Sequence, residues 1–263
     1  MAENLISGPA VERVNVLGVG ISILNLECAR DIIAEAITAG RKGYITVTGV
    51  HGVSEAQEDA EFRRILNQSF LCTPDGMPMV WMGKFAGHKE MNRVYGPDLM
   101  ELICEVGVAH GWKHFFYGSA PGVAEELKAK LEKRFPGVSV VGTFTPPFRP
   151  LNPQEERELS EAVERAKPDL FWVGLSTPKQ ERFMAAYLPK LDTKLMIGVG
   201  AAFDFHAGKV KQAPRWIQRS GLEWAFRVWQ EPGRLWKRYA RNNPLFIARA
   251  LLQKIGLRNY SLD

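Results

Sequence analysis

HFFYGSAPGVAEELKAKLEKRFPGVSVVGTF (114–144) is the stretch that decides the fold. It opens on the apolar run HFFYG (114–118), turns through Gly118-Ser119, continues as the charged amphipathic segment AEELKAKLEKRF (124–135), and ends on VSVVGTF (138–144). Short apolar runs on either side of a helix-period segment make a strand–helix–strand unit, the building block of a parallel sheet. The alternation continues in both directions. Upstream, VNVLGVG (14–20), YITVTGV (44–50) and SFLCTP (69–74) read as strands, with helices over 25–40, from 50 to about 67, and over 97–111. Downstream, NPQEERELSEAVERA (152–166) reads as a helix capped by Asn152, with Pro153 at its first position. DLFWVGL (169–175) and KLMIGVG (194–200) read as strands around a helix at 178–188. The expectation is an α/β fold: an open, mostly parallel sheet with helices on both faces. Polar and glycine-rich residues recur at the strand C-termini, the edge where such sheets bind ligands.

The last fifth of the chain has a different composition. Residues 205–263 carry 12 Lys and Arg against 3 Asp and Glu, a local charge of +9. The whole chain is +5, so residues 1–204 hold 22 basic against 26 acidic side chains and stand at −4. Trp216, Trp224, Trp229 and Trp236 are threaded among Arg215, Arg219, Arg227, Arg234, Lys237, Arg238 and Arg241. Guanidinium groups bind phosphate bidentately and Trp favours half-wet apolar boundaries, so this segment suits a polyphosphate, a nucleic acid or an anionic membrane surface. Pro214, Pro232 and Pro244 punctuate helices within it. Two regions are therefore expected: an α/β core over 1–204 and a basic, helical, Arg/Trp-rich appendage over 205–263.

With 46% hydrophobic residues the chain can bury a sizeable core. Cys28, Cys72 and Cys104 lie far apart, with no CxxC pair and no His at ligand spacing, which argues against a disulfide framework or a zinc site and fits a reducing cytosol. The N-terminal MAENLISGPAVERV has no basic flank leading into an apolar run, so no signal peptide is expected. No apolar run approaches the roughly 18 residues of a membrane span.

Several motifs sit where chemistry would. Gly18-Val-Gly20 follows a strand, but Ile23 stands at the third glycine position of a dinucleotide fingerprint, so a tight turn is the better reading. In TPDGMPMVW (73–81), Asp75 directly follows an apolar strand; there it either caps the next helix or accepts a proton from a substrate hydroxyl. RVYGPDL (93–99) supplies Arg93, a clamp for phosphate or carboxylate, and Asp98, which equally suits a first-turn acid on the helix dipole. The turn at Gly118 offers backbone N–H groups to an anion. In GLSTPKQER (174–182), Gln180 and Glu181 fall in a first helical turn, where Gln can read a uracil edge and Glu can accept from ribose hydroxyls, or both can simply be solvated. GVGAAFDFHAG (198–208) contributes Asp204 and His206; the histidine, without triad or metal partners, reads as structural. His51, after the TVTGV strand, lies at the same sheet edge.

Together, TPDGMPMVW (73–81), RVYGPDL (93–99), FFYGSAPGV (115–123), GLSTPKQE (174–181) and GVGAAFDFHAGKVKQAPRWIQRSGLEWAFRVWQEPGRLWKRY (198–239) resemble the WecG/TagA/CpsF family of bacterial glycosyltransferases, in family order and over nearly the whole chain. The resemblance implies a Rossmann-like core and an inverting, metal-independent transfer. An N-acetylmannosamine-type sugar would move from a UDP-sugar to a polyprenyl-diphosphate-linked N-acetylglucosamine or similar glycan, in teichoic acid, common-antigen or exopolysaccharide synthesis. It implies peripheral work on the inner face of the plasma membrane, with the basic appendage closing over the active site there. By position, Asp75 matches the proposed general base, Arg93 an active-site arginine and Gln180 a donor-pocket glutamine. Arg227 and Arg234 match arginines that hold the diphosphate, and Lys237 or Arg238 matches a third. Many members carry Thr-x-Asn after the second strand; this chain reads Thr48-Gly49-Val50-His51, which passes the asparagine's role to Thr48 or His51. No cofactor beyond the sugar nucleotide and no nucleic-acid partner is implied, and homo-oligomerisation is left open. Two other readings of the tail compete: single-stranded nucleic-acid binding, and a plain membrane anchor on an α/β enzyme of other specificity.

Overall fold

The computed structural model describes residues 11–262, except the side chain of Arg234. The stretch read as lacking a signal peptide lies largely outside them. Two short strands come first, β1 (Arg13–Val16) and β2 (Val19–Ser22), followed by α1 (Leu26–Thr38), β3 (Gly43–Thr48), α2 (Val50–Glu58), α3 (Ala60–Asn67), β4 (Leu71–Pro74) and α4 (Met77–Phe85). Next come α5 (Gly96–His110), β5 (Lys113–Gly118), α6 (Val123–Arg134), β6 (Ser139–Phe144), α7 (Pro153–Ala166), β7 (Leu170–Gly174), α8 (Lys179–Tyr187), β8 (Leu195–Gly198) and α9 (Ala202–His206). The C-terminal segment holds α10 (Arg215–Ser220), α11 (Glu223–Gln230) and α12 (Pro232–Lys254).

The fold is α/β, with six strands in one sheet in the order β4-β3-β8-β7-β5-β6. The pairings β3–β8, β8–β7, β7–β5 and β5–β6 are all parallel. The strand–helix–strand unit of 114–144 is β5, α6 and β6. One expected strand has another fate. Residues 14–20 do not join the sheet; they fold as the hairpin β1–β2, paired antiparallel from Arg13↔Ser22 to Val16↔Val19. Leu17 and Gly18 both adopt positive φ, 54° and 82°, which makes the two-residue turn that matches strand twist. The helix expected from 50 to 67 is two helices. Asp59 is extended there and its carboxylate caps α3, accepting from the Phe62 N–H at 2.9 Å. Pro214 and Pro232 open helices as their fixed φ favours, whereas Pro244 lies inside α12 rather than ending it.

By contact density the chain divides into two units. The first comprises Glu27–Thr46 and Gly96–Lys211. Its centre is aromatic: Phe115 stacks on Phe171 at 5.2 Å, and Tyr117 on Phe183 at 4.2 Å. β7 is buried at every position, as a strand covered on both faces must be. At the C-terminal end of β5, Gly118 has φ 122°, and a Cβ there would meet the Gly174 carbonyl oxygen at 2.7 Å. Only glycine lets the two strand ends approach so closely.

The second unit comprises Val11–Leu26, Val47–Tyr95 and the residues from 212 onward. Its core joins the hairpin (Val16, Leu17, Ile21) to Phe62 and Leu66 of α3, Met79 of α4 and Phe246 of α12. Gln253 fastens α12 to the hairpin turn: its Oε1 accepts from the Leu17 N–H at 3.1 Å, and its Nε2 donates to the Asn15 carbonyl at 3.0 Å. Helix α12 is therefore built into this unit's core.

Candidate active site

In the second unit, β4 carries the chain to Asp75, whose N–H donates to the Thr48 carbonyl at 2.9 Å. Asp75 does not cap α4: Gly76 occupies the cap position and no side chain bonds there. The carboxyl instead faces Arg93. Arg93 Nε and Nη2 both donate to Asp75 Oδ1, at 3.3 and 3.2 Å. The same Nη2 lies 2.6 Å from Oε2 of Glu223, in the first turn of α11; the contact is an ion pair rather than a well-directed hydrogen bond. Beneath the guanidinium, the Tyr95 ring centroid is 4.0 Å from Cζ, a cation–π stack. Arg227, one turn further along α11 and on the same face as Glu223, adds its field at Asp75.

The charge balance sets the protonation states. Burial pushes the Asp75 carboxyl above its ordinary range; Arg93 pulls it back, Glu223 pushes it up again, and Arg227 pulls it down more weakly. The Asp75 side chain still keeps 31% exposure, enough to meet a substrate, while those of Arg93 and Glu223 keep 15% and 13%. Burial also works against the charged form of Arg93, but the Asp75 and Glu223 carboxylates outweigh it and hold the guanidinium firmly protonated. Burial, then those two carboxylates, raise the Tyr95 phenol, which stays neutral.

Asp75, Arg93 and Arg227 are thus brought together. Thr48 is buried beside them in the chain's path, its Oγ1 accepting from the Cys72 thiol at 3.3 Å. His51 Nδ1 lies 3.1 Å from the Asn242 amide nitrogen of α12 and 3.6 Å from Glu55. Arg238 places its guanidinium 5.1 Å over the Tyr239 ring, and Lys237 is exposed. Arg234 opens α12, and its side chain lies outside the described residues. Glu223 and Tyr95 were not anticipated. A signal for each existed: Glu223 precedes Arg227 by one helical turn, and Tyr95 follows Arg93 by two residues.

In the first unit a second polar group gathers at the strand ends. Ser119, at φ 64°, donates through Oγ to Asp204 Oδ1 at 3.0 Å. Gln180 and Glu181 are buried at 3% and 1% exposure. Gln180 Oε1 accepts from the Gly200 N–H at 3.0 Å, and its Nε2 donates to Glu181 Oε1 at 3.0 Å, which also accepts from Thr177 Oγ1 at 2.8 Å. Burial raises the Glu181 carboxyl toward its neutral form, against those two hydrogen bonds. His206 pairs through Nε2 with the Pro97 carbonyl at 2.9 Å, and burial lowers its pKa; it is a structural histidine.

Residues 14–260 match the model of the family described as "Glycosyl transferase WecG/TagA/CpsF family". The chain is also similar to two N-acetylglucosaminyldiphosphoundecaprenol N-acetyl-beta-D-mannosaminyltransferases. The protein of Bacillus spizizenii (strain ATCC 23059 / NRRL B-14472 / W23) is 29% identical over 198 residues, 75% of each chain. That of Bacillus subtilis (strain 168) is 29% identical over 183 residues, 70% of this chain and 69% of the relative.

Proposed function

The chain belongs to the WecG/TagA/CpsF family of glycosyltransferases, and from that premise we propose that it transfers an N-acetylmannosamine-type sugar from a UDP-sugar to a polyprenyl-diphosphate-linked N-acetylglucosamine. The relatives' names support this acceptor and sugar, and the proposed setting is cell-surface polymer synthesis. The observation that carries the chemistry is the Asp75 carboxyl, accessible at the end of β4 and held on one oxygen by Arg93. In the proposed step Asp75 takes the proton of the acceptor hydroxyl. The freed oxygen attacks the anomeric carbon, and the bond from that carbon to the diphosphate oxygen breaks. UDP leaves with the bonding electrons from the opposite face, inverting the configuration.

A base whose pKa is lifted toward the working pH is stronger when ionised, and the raised Asp75 carboxyl suits that work. The leaving diphosphate gains negative charge, which fixed cations stabilise at the moment it develops. Arg227, whose positive charge is felt at Asp75, is proposed to supply one of these cations; Arg234 and Lys237 or Arg238 are proposed to join it, without a metal. No helix among the described residues is long and apolar enough to cross a membrane. We place the work at the inner face of the plasma membrane, where the lipid-linked acceptor is met by a peripheral enzyme.

The test is UDP release from a panel of UDP-sugars, with and without EDTA, using a synthetic polyprenyl-diphosphate N-acetylglucosamine. UDP-N-acetylmannosamine should be the preferred donor and EDTA should change nothing. Asp75→Asn should lower turnover by about 10²–10⁴-fold, as removal of a general base does, and Arg227→Ala by about 10²–10³-fold, as loss of a group stabilising transition-state charge does. Near-wild-type turnover in Asp75→Asn would sink the assignment.

A further inference from the structure

The tightest charge contact on Arg93 is made with Glu223, not with Asp75. Nη2 stands 2.6 Å from Glu223 Oε2, whereas both bonds to Asp75 are long, 3.2 and 3.3 Å, and both end on a single oxygen. A guanidinium prefers to meet a carboxylate as a fork, two nitrogens on two oxygens. Arg93 does not form that fork with Asp75. Among the described residues, the other carboxylate paired with it lies on α11, in the C-terminal segment that also carries Arg227.

We propose that Glu223 is a positioning residue for the transfer reaction: it holds Arg93 away from a bidentate pair with Asp75 and so keeps Asp75 a strong base. This rests on the reading of Asp75 as the base. The charged and titratable groups facing Asp75 are Arg93 and Tyr95 from the segment before α5, and Glu223 and Arg227 from α11. Arg93 and Glu223 together are neutral. Without the Glu223 charge, the Arg93 cation acts on Asp75 with no carboxylate on α11 to offset it, and an opposite charge within a few Å pulls a carboxylate down by about 1–3 pH units. The direction agrees with the balance at Asp75, where Glu223 raises and Arg93 lowers. A weakened base transfers the proton less readily, so rate falls even where more of the base is ionised.

The experiment compares wild type, Glu223→Gln and Glu223→Asp in the pH profile of kcat/KM, using UDP-N-acetylmannosamine and the synthetic acceptor. A parallel 13C-carboxyl titration of Asp75 needs no substrate. Glu223→Gln should move the acid limb and the Asp75 titration down by about one unit and lower the plateau of kcat roughly tenfold. Glu223→Asp keeps the charge but withdraws it by one methylene, and should move both the same way by less. An unshifted limb and titration overturn the proposal, as does a loss confined to KM; if Glu223→Gln fails to fold, the Glu223→Asp titration decides in the same terms. The premise fails separately: an active Asp75→Asn removes the base assignment, whereas an inactive Asp75→Asn with an unshifted Glu223→Gln profile removes only the role of Glu223.

Discussion

At the residue scale, what a sequence shows is which side chain ends a strand, and what it hides is which side chains burial will bring beside it. Asp75 and Arg93 were legible because each adjoins an apolar run or a glycine-containing turn. Glu223 was harder to see: its place one turn before Arg227 is a local signal, but more than a hundred residues separate it from Arg93 and the pairing itself carries no mark. His114 is another such case. It opens the run HFFYG, yet it is fully buried, with Nδ1 accepting from Trp172 Nε1 at 3.0 Å. That bond assigns the neutral proton to Nε2, and burial lowers the pKa from 6.5 to about 4, against a weaker pull from Asp169. Because the folded value is depressed, the unfolded chain takes up the proton first as pH falls. The resulting loss of stability is absent at pH 7, begins near 6.5 and is complete below about 4, where it reaches on the order of 3 kcal/mol. His114→Phe removes this dependence while leaving the Trp172 N–H unpaired, which costs about 1–3 kcal/mol at every pH. Urea unfolding at pH 7 and pH 4.5 should show the variant weaker at neutral pH and less sensitive to acid; parallel pH dependences would contradict the account.

At the element scale, capping and turn chemistry explain both the expected boundary that held and the one that moved. α7 begins where Asn152 and Pro153 said it would, because its end is specified by its own residues. Asn152 Oδ1 accepts from the N–H groups of Gln154 and Glu155, both at 2.9 Å, and Glu155 Oε2 returns a bond to the Asn152 N–H at 2.8 Å. Arg149 grips the same carboxylate, and these hydrogen bonds, Arg149's first, lower the Glu155 pKa to about 2. Asn152→Ala should therefore destabilise the protein by about 1 kcal/mol, seen as a lower denaturation midpoint at unchanged slope. The hairpin was misread because its turn is Leu17-Gly18 rather than Asn-Gly or Asp-Gly. A leucine at φ 54° is not a turn signal, and the tight turn read at Gly18-Val-Gly20 was set after the strand rather than within it. The break in the α2–α3 helix was equally open to local reading, since Asp59 is an ordinary cap residue.

At the scale of the whole molecule, the charge asymmetry predicts how the enzyme meets the proposed lipid-linked acceptor. The segment with net charge +9 also holds most of the large apolar side chains left in solvent. Trp216 is 69% exposed, Trp229 77% and Trp236 62%, with Ile247, Leu251, Ile255 and Leu257 also outside. Exposed apolar groups of this size interleaved with cations suit an anionic bilayer surface, where each Lys or Arg contributes about 1 kcal/mol and Trp settles at the headgroup level. A nucleic-acid surface would use the same cations but would stack bases on the aromatic faces. On α11 the two demands separate, with Glu223 and Arg227 on one face toward the Arg93 cluster and Trp229 standing out in solvent. The protein should sediment with phosphatidylglycerol vesicles at low salt, far less with phosphatidylcholine, and release as salt rises past the screening range. Replacing Trp216, Trp229 and Trp236 by Ala should weaken vesicle binding at least about tenfold with little change in the unfolding midpoint, because none of the three is packed in the core. Retained vesicle binding in the triple variant, or tighter binding to single-stranded oligonucleotides than to the anionic vesicles, would turn the surface back into a generic anion binder.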